Sequence, residues 1–317
     1  YVKNYNTNVF EKILVNDLIF NSESNFSNHG LKSAYNFIFK NINTNSKNSL
    51  SYKNTLNHEL AAIGEYNVSY PLKKETGINT SIFKPLISLR YSPNNSKNLQ
   101  NDEKRIDSNN IYSLNRIGSK TSVEGGLSLT YGSEFLKLDN KANEIFGASI
   151  ANVIKDQVDD KISRSSSLGG KTSDIIGGLR LNPNSNIKIK YEFSQDSNLQ
   201  DTNFQILESE FKVNNFVTSF EYLNENKTLK QQSYLTNKTS YTIGDSKNIT
   251  FKTRRNKKTS LTEFYNLLYQ YRNDCLIAGI EYNKEFYNAN ELRPEENIFF
   301  KLTIIPMGET KSPNIKK

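Results

Sequence analysis

Apolar and polar residues alternate along much of this chain, most clearly in its second half. From residue 187 to residue 193 every second residue is Ile, Tyr or Phe, and Lys or Glu stands between them. The same period of two recurs at residues 31–39, 265–271, 276–286 and 298–304. Such a period puts the apolar side chains on one face of a strand, and no long segment shows the period of a helix. The pattern therefore predicts an all-β fold.

The predicted connections between strands alternate in length. Short connections are predicted at residues 182–184, 214–215, 244–246 and 272–274, and long ones at residues 155–173, 195–203, 224–231, 254–260 and 288–297. Outer-membrane barrels have this parity, with short periplasmic turns and longer extracellular loops, whereas the crossings of a Greek-key sandwich would break it. Strands of roughly ten residues also fit a tilted membrane strand. We predict an antiparallel up-and-down transmembrane β-barrel of about fourteen strands, part of a larger outer-membrane barrel.

Charged residues decide which face of the predicted sheet meets lipid. Turning Lys188 or Lys190 toward hydrocarbon would cost about 2–4 kcal/mol each near the membrane midplane. The apolar face must therefore point outward, and a polar face lines the interior. Pro85 falls inside a predicted strand, and because it lacks an N–H we expect a kink or a broken ladder there.

Composition narrows the classes of function. The 317 residues include one Cys and two His, which excludes an internal disulfide and leaves no basis for a multi-His metal centre. No stretch approaches the ~18 consecutive apolar residues of a membrane-spanning helix. We find no set of nucleophile, base and oxyanion donors and expect neither an enzyme nor a cofactor. The net charge of +8 would permit nucleic-acid binding, but the Lys excess accompanies Asn and Ser throughout, so we predict no nucleic-acid partner.

Four segments carry a family resemblance. In chain order they are residues 69–72, 84–94, 110–118 with 123–126 and 131–132, and 271–275 followed by the last two strands. In this order and spacing they resemble the C-terminal barrel region of the LptD family, also called the organic solvent tolerance family. The resemblance implies a barrel in the outer membrane of a Gram-negative bacterium, which inserts lipopolysaccharide (LPS) into the outer leaflet through its lumen and a lateral gate.

The resemblance also implies a domain organisation and partners. In the family a periplasmic jelly-roll domain and the first strands precede this region, so residues 1–306 would be the C-terminal part of the barrel and residues 307–317 a Lys-rich tail. Besides LPS and membrane lipid, the implied partners are a plug lipoprotein similar to LptE and a periplasmic bridge component. By position, the last strand would form half of the lateral gate, with the apolar residues Ile298, Phe300, Leu302 and Ile304.

Cys275 matches the family cysteine that forms a disulfide with the periplasmic domain. The parity of the connections places the turn before it on the periplasmic side, which supports this assignment. Asp274 stands where some members have a second cysteine, so a single bridge is implied. The alternative is a buried Cys that packs as a small apolar residue.

Two sets of charged residues leave alternatives open. Arg254, Arg255, Lys257 and Lys258 fall in a predicted extracellular connection, where they would either contact LPS phosphates or form a solvated loop. Arg116 and Glu124 lie in the third resembling segment and would either build an ion pair in the lumen or be solvated separately.

The alternative function is a general outer-membrane porin or a substrate-specific channel. It explains the alternation and the parity of the connections equally well. It does not explain the four ordered segments or a cysteine beside a periplasmic turn.

Overall fold

A computed structural model describes residues 2–4, 8–94, 96–97, 99–100, 105–163, 166–227, 231–286, 294–305, 308–311 and 315–316. These residues form one sheet of 20 strands. They contain no helix long and apolar enough to cross a membrane. Every ladder in the sheet is antiparallel. Each ladder joins strands that are consecutive along the chain or separated by one short strand, so the predicted all-β, up-and-down topology is confirmed.

Fifteen of the strands have nine to sixteen residues, against about fourteen predicted. They are β2 (Phe10–Asn21), β4 (Lys32–Lys47), β5 (Asn57–Ser69), β7 (Asn79–Ser92), β8 (Gly126–Asp139), β9 (Glu144–Lys155), β10 (Ile175–Asn184), β11 (Ile187–Gln195), β12 (Thr202–Val213), β13 (Phe216–Glu225), β14 (Gln232–Ile243), β15 (Lys247–Asn256), β16 (Thr262–Arg272), β17 (Leu276–Glu285) and β18 (Glu295–Ile304). The short strands are β1 (Val2–Asn4), β3 (Asn25–Phe26), β6 (Leu72–Thr76), β19 (Gly308–Lys311) and β20 (Ile315–Lys316).

The connections alternate as predicted and give the sheet two unlike ends. The short-turn end carries residues 27–31, 77–78, 140–143, 185–186, 214–215, 244–246 and 273–275. Of the residues that the structure describes, those of the connections 48–56, 93–125, 156–174, 196–201, 226–231, 257–261 and 286–294 lie at the long-loop end. One predicted turn, at residues 182–184, is displaced to residues 185–186, because Pro183 lies in an irregularity of the β10–β11 ladder between Leu181 and Asn184.

Pro85 breaks one of its two ladders, as expected. The pairing of β5 with β7 ends at Leu86, and β6 resumes the pairing at Phe83. On the other side of β7 the ladder with β8 continues, with Pro85 opposite Ser133. The missing N–H of proline thus affects only the edge that faces β5 and β6.

The outer face of the sheet exposes apolar side chains and the inner face holds buried polar ones, which is the inverse of the distribution in soluble proteins. On β7, Ile87 and Leu89 are 51% and 47% exposed, whereas Ser88 and Arg90 are each 1% exposed. The outer face carries exposed apolar side chains along the whole sheet, including Tyr35, Phe83, Phe216, Tyr241 and Tyr269 near the short turns. Such an aromatic band is typical of barrel strands at the membrane interface. Lipid must cover this face, because water would leave it unstable.

Two of the long connections fold back over the inner face. We call residues 93–125 loop A and residues 156–174 loop B. Ile111 and Ile117 of loop A pack in one apolar cluster with Leu168 of loop B and with Val153 and Ile176 of the wall. Loops A and B therefore cover the inner face of the first half of the sheet, while the wall from β10 to β16 keeps an open cavity of about 560 Å³.

Candidate functional site

A buried ion pair anchors loop A to the wall. The Arg116 guanidinium donates two hydrogen bonds to the Glu124 carboxylate, at 2.7 and 2.8 Å. Two further N–H groups of Arg116 donate to the hydroxyls of Ser128 and Thr130 on β8, at 2.8 and 2.9 Å. Both charged side chains are at most 1% exposed. Of the two alternatives for Arg116 and Glu124, the lumenal ion pair is therefore the correct one.

Two wall cations complete this cluster. Arg90 on β7 lies 3.7 Å from the Glu124 carboxylate and also donates to the backbone carbonyls of Leu114 and Glu124. Lys155 on β9 lies 3.5 Å from the same carboxylate. The Glu124 carboxylate thus lies beside three cations. One comes from its own loop, and two come from the strands on either side of β8.

The cluster fixes the ionisation of Glu124. Burial by itself raises the pKa of this carboxyl, but Arg116, followed by Arg90 and Lys155, more than offsets burial and lowers the pKa from 4.5 to about 2. Glu124 is therefore a carboxylate at every physiological pH. Sequence reasoning identified Arg116 and Glu124 but missed Arg90 and Lys155, whose only signal was a charged residue at an inward position of a predicted strand.

Gly132 lets Tyr112 of loop A lie against the wall. A Cβ atom at Gly132 would stand 2.4 Å from the Tyr112 hydroxyl oxygen and 2.2 Å from the carbonyl oxygen of Ile150, both far too close for any other residue. Burial, followed by the charge of Glu134, raises the pKa of the Tyr112 phenol. Tyr112 and Gly132 both lie in the third of the resembling segments. The close approach of Tyr112 to the wall gives a physical reason for a glycine at position 132 in that segment.

Loop A also reaches across the inner face. The guanidinium of Arg105 lies 3.1 Å from the Glu225 carboxylate of β13 and 3.4 Å from the centre of the Phe204 ring of β12. Loop B ends at Asp174, which accepts hydrogen bonds from Ser194 and from the ammonium of Lys227. These contacts join loop A to β12 and β13, and they join loop B to β11 and to the connection that follows β13.

The basic run predicted in an extracellular connection is divided between a strand and a loop. Arg254 and Arg255 lie in β15, and Arg254 pairs on the inner face with Glu263 at 2.5 Å. Lys257 and Lys258 lie in the following connection at the long-loop end. The four residues therefore do not form one patch, although the two lysines keep the predicted exposed position.

Cys275 lies in a turn, and the four candidate gate residues lie in the last long strand. Cys275 is an exposed free thiol in a turn at the short-turn end. Ile298, Phe300, Leu302 and Ile304 occupy alternate positions of β18, and the last three are 47%, 41% and 39% exposed. β18 pairs with β17 along its length. On its other edge, the pairings among the described residues are those of residues 301–304 with β19 and of residues 297–298 with β20. Among the described strands, no ladder joins β18 to β1 or β2.

Comparison with known proteins gives one informative match. The family described as LPS transport system D, LptD, matches residues 25–277. No curated protein matches the chain. Solved structures of mutant porins from Rhodopseudomonas blastica are similar at 10% and 11% identity, each covering 91% of this chain and 90% of the porin, with a TM-score of 0.36. Likeness at that level carries no argument about function. No cluster of metal-binding side chains occurs within the described ranges.

Proposed function

Since the chain belongs to the LptD family of LPS transport proteins, we propose that it guides LPS along its inner face and releases it sideways into the outer leaflet. The chain is an outer-membrane β-barrel protein of a Gram-negative bacterium, and its family is one of transport proteins rather than enzymes. The single observation that carries the proposed path is the inverted sheet, with polar side chains inside and apolar side chains outside. A lipid with a large saccharide head needs both surfaces at once.

The saccharide head would travel over the open part of the inner wall. Loops A and B lie over the inner face of the first half of the sheet, where a cavity of about 810 Å³ is lined partly by the two loops themselves. The cavity along β10 to β16 is instead lined by residues of the strands alone. Its lining is charged and polar, including Lys190, Glu208, Ser219 and Thr236. Hydroxyl and phosphate groups would exchange water for these side chains at little cost.

The acyl chains would leave between β18 and the first strands. An edge strand that lacks a long partner separates from its neighbour more easily than a central strand does, because fewer backbone hydrogen bonds must break. β18 has such an edge, and its outer residues Ile298, Phe300, Leu302 and Ile304 offer an apolar surface to acyl chains. We assign the lateral gate to this strand.

Further assignments follow from family membership. Residues 1–306 would be the C-terminal part of the barrel and residues 307–317 a tail. Cys275 would form its disulfide with a periplasmic domain, which its exposure at the short-turn end supports. An LptE-like lipoprotein would enter the lumen, and a periplasmic bridge component would deliver LPS. Lys257 and Lys258, which are exposed at the long-loop end, would meet LPS phosphates on arrival. Arg254 and Arg255 would do so separately, from the strand that precedes the two lysines.

Site-specific crosslinking tests the path. A photoreactive residue at Lys301, on the inner face of β18, should capture LPS in cells that express the intact protein. The matched control is Leu267, which lies on the outer face of β16 away from the proposed gate and should capture phospholipid but little LPS during steady transport. If Lys301 never captures LPS, or captures it no better than Leu267, the proposed path is wrong.

A further inference from the structure

Two lysines face each other on the inner face of the open wall. Lys238 of β14 and Lys252 of β15 are directly opposite in the ladder between these strands. Directly opposite residues on one face of an antiparallel pair have Cβ atoms about 4.5–5.5 Å apart, and like charges in this arrangement repel. Both side chains are exposed to the cavity of about 560 Å³.

The other inner lysines nearby have carboxylate partners. Lys188 lies 3.3 Å from Glu210, and Lys190 lies 3.2 Å from Glu192. Within the part of the chain that the structure describes, neither Lys238 nor Lys252 has a carboxylate at ion-pair distance.

The residues directly beside the two lysines in the sheet are neutral. Ser219 of β13 stands opposite Lys238, and Asn266 of β16 stands opposite Lys252. The carboxylate of Glu221, diagonal to Lys238 on β13, lines the same cavity. The pair is thus a double positive charge with no carboxylate at ion-pair distance in the described part of the chain, on a wall where the other inner lysines named above have such a partner.

We propose that Lys238 and Lys252 form a transit site for an anionic substituent of the saccharide head, a phosphate or a carboxylate. The inference rests on the proposed function and adds the residues that would recognise the cargo. A phosphate monoester carries about −1.5 to −2 charges at neutral pH, which matches two ammonium groups side by side. Lysine is a flexible point charge without the fixed fork of arginine, so the contact can form and break quickly as cargo moves.

Charge-changing variants separate this role from a structural one. In Lys252→Glu the repulsive pair becomes an attractive one, so the thermal midpoint of the barrel should stay equal or rise. Capture of LPS by a photoreactive residue at Thr236, which lines the same cavity, should fall about tenfold. Lys238→Arg with Lys252→Arg should retain capture. If Lys252→Glu lowers the thermal midpoint, or leaves capture at Thr236 unchanged, the inference is overturned.

The matched control removes two lysines that already have carboxylate partners and lie outside the cavity, Lys73 beside Glu75 and Lys84 beside Glu134. Lys73→Gln with Lys84→Gln changes the net charge as much as Lys238→Gln with Lys252→Gln does, but should reduce capture at Thr236 far less. The probe at Lys301 distinguishes failure of the transit site from failure of the proposed function. Capture at Lys301 without any dependence at Thr236 on the lysine pair would refute the transit site alone, whereas absence of LPS capture at both probes in the wild-type protein would refute the proposed function.

Enzymatically dephosphorylated LPS, supplied to the purified transport complex in vesicles, identifies the recognised group. If the difference between wild-type protein and the Lys238→Gln, Lys252→Gln variant disappears with this cargo, the pair binds phosphate. If the difference persists, the pair binds a carboxylate of the saccharide. If wild-type protein and variant do not differ with either cargo, the pair has no such role.

Discussion

The substitution Glu124→Gln should release loop A from the wall without unfolding the barrel. Glutamine keeps nearly the same volume and one acceptor oxygen, so the change removes mainly the negative charge. Arg116, Arg90 and Lys155 would then surround a neutral amide in a site that is 0% exposed. Buried cations that lose their counter-charge are strongly destabilising, by about 3–5 kcal/mol.

The lowered pKa of Glu124 points to a cost of the same order. A carboxyl pKa lowered from 4.5 to about 2 means that the folded protein favours the charged form. At ~1.36 kcal/mol per pKa unit, this preference amounts to about 3 kcal/mol. Losing about 3 kcal/mol would raise the population of locally opened loop A on the order of 100-fold.

Hydrogen exchange with mass spectrometry measures that opening directly. Within loop A the amide of Ile111 donates to Asp107, that of Ser113 to Asn110 and that of Gly118 to Asn115, so peptides covering these residues report on the loop. Their exchange in detergent at pH 7 should accelerate on the order of 100-fold in the variant, while peptides from β14 and β15 should not change.

Glu75→Gln is the matched control, because it removes the same charge from an exposed pair. Glu75 and Lys73 lie in β6 with their charged atoms 2.5 Å apart, and their side chains are 67% and 58% exposed. Exposed pairs contribute little, so this variant should exchange like the wild-type protein. Unchanged exchange in loop A of Glu124→Gln would show that the ion cluster does not hold the loop. Acceleration across all strands would show that the cluster supports the whole barrel instead.

Three further predictions follow from the same geometry. Because the pKa of Glu124 is lowered in the folded protein, its contribution to the stability of loop A is fully present above about pH 4.5 and is lost as the pH falls toward 2. Protection of loop A from hydrogen exchange should therefore be equal at pH 7 and pH 5.5 and decline below pH 4. A decline that begins near pH 6 would contradict the assignment. On β16, Leu267→Lys should lower the free energy of unfolding in lipid vesicles by about 2–4 kcal/mol. The inner variant Gln270→Lys on the same strand, opposite the neutral Asn248 and Gly279, should change it little; equal effects would mean that the outer face does not meet lipid. In the intact protein, Cys275→Ser should abolish the mobility shift between reduced and non-reduced samples, and an unaltered shift would exclude Cys275 from the disulfide.

The fold could be predicted from the sequence because its determinants are local. Each strand shows its two faces in a period of two, and each tight turn separates two such segments. The energetic cost of a charge in hydrocarbon then orients every strand at once. The strand ends were less predictable: β15 extends through Arg254 and Arg255 to Asn256, and on a wall with a polar inner face such residues look the same in a strand as in a loop.

The interior was harder to predict because its contacts are long-range. Arg116 and Glu124 are 8 residues apart and could be suspected as a pair, but Arg90 is 34 residues from Glu124. Nothing local indicates that loops A and B fold inward rather than outward. Lys238 and Lys252 could have been found, since they are equally distant from Asp245 at the centre of a predicted short turn, and a symmetric hairpin must pair them.

The inward course of loops A and B makes the rim of the barrel at the long-loop end uneven. Antibodies or phages that approach from outside would meet the connections at residues 196–201 and 257–261, which are largely exposed. Loops A and B would offer them little accessible surface, because the central residues of both loops pack against the wall. Epitope tags should therefore be tolerated on one half of the rim and disrupt the protein on the other.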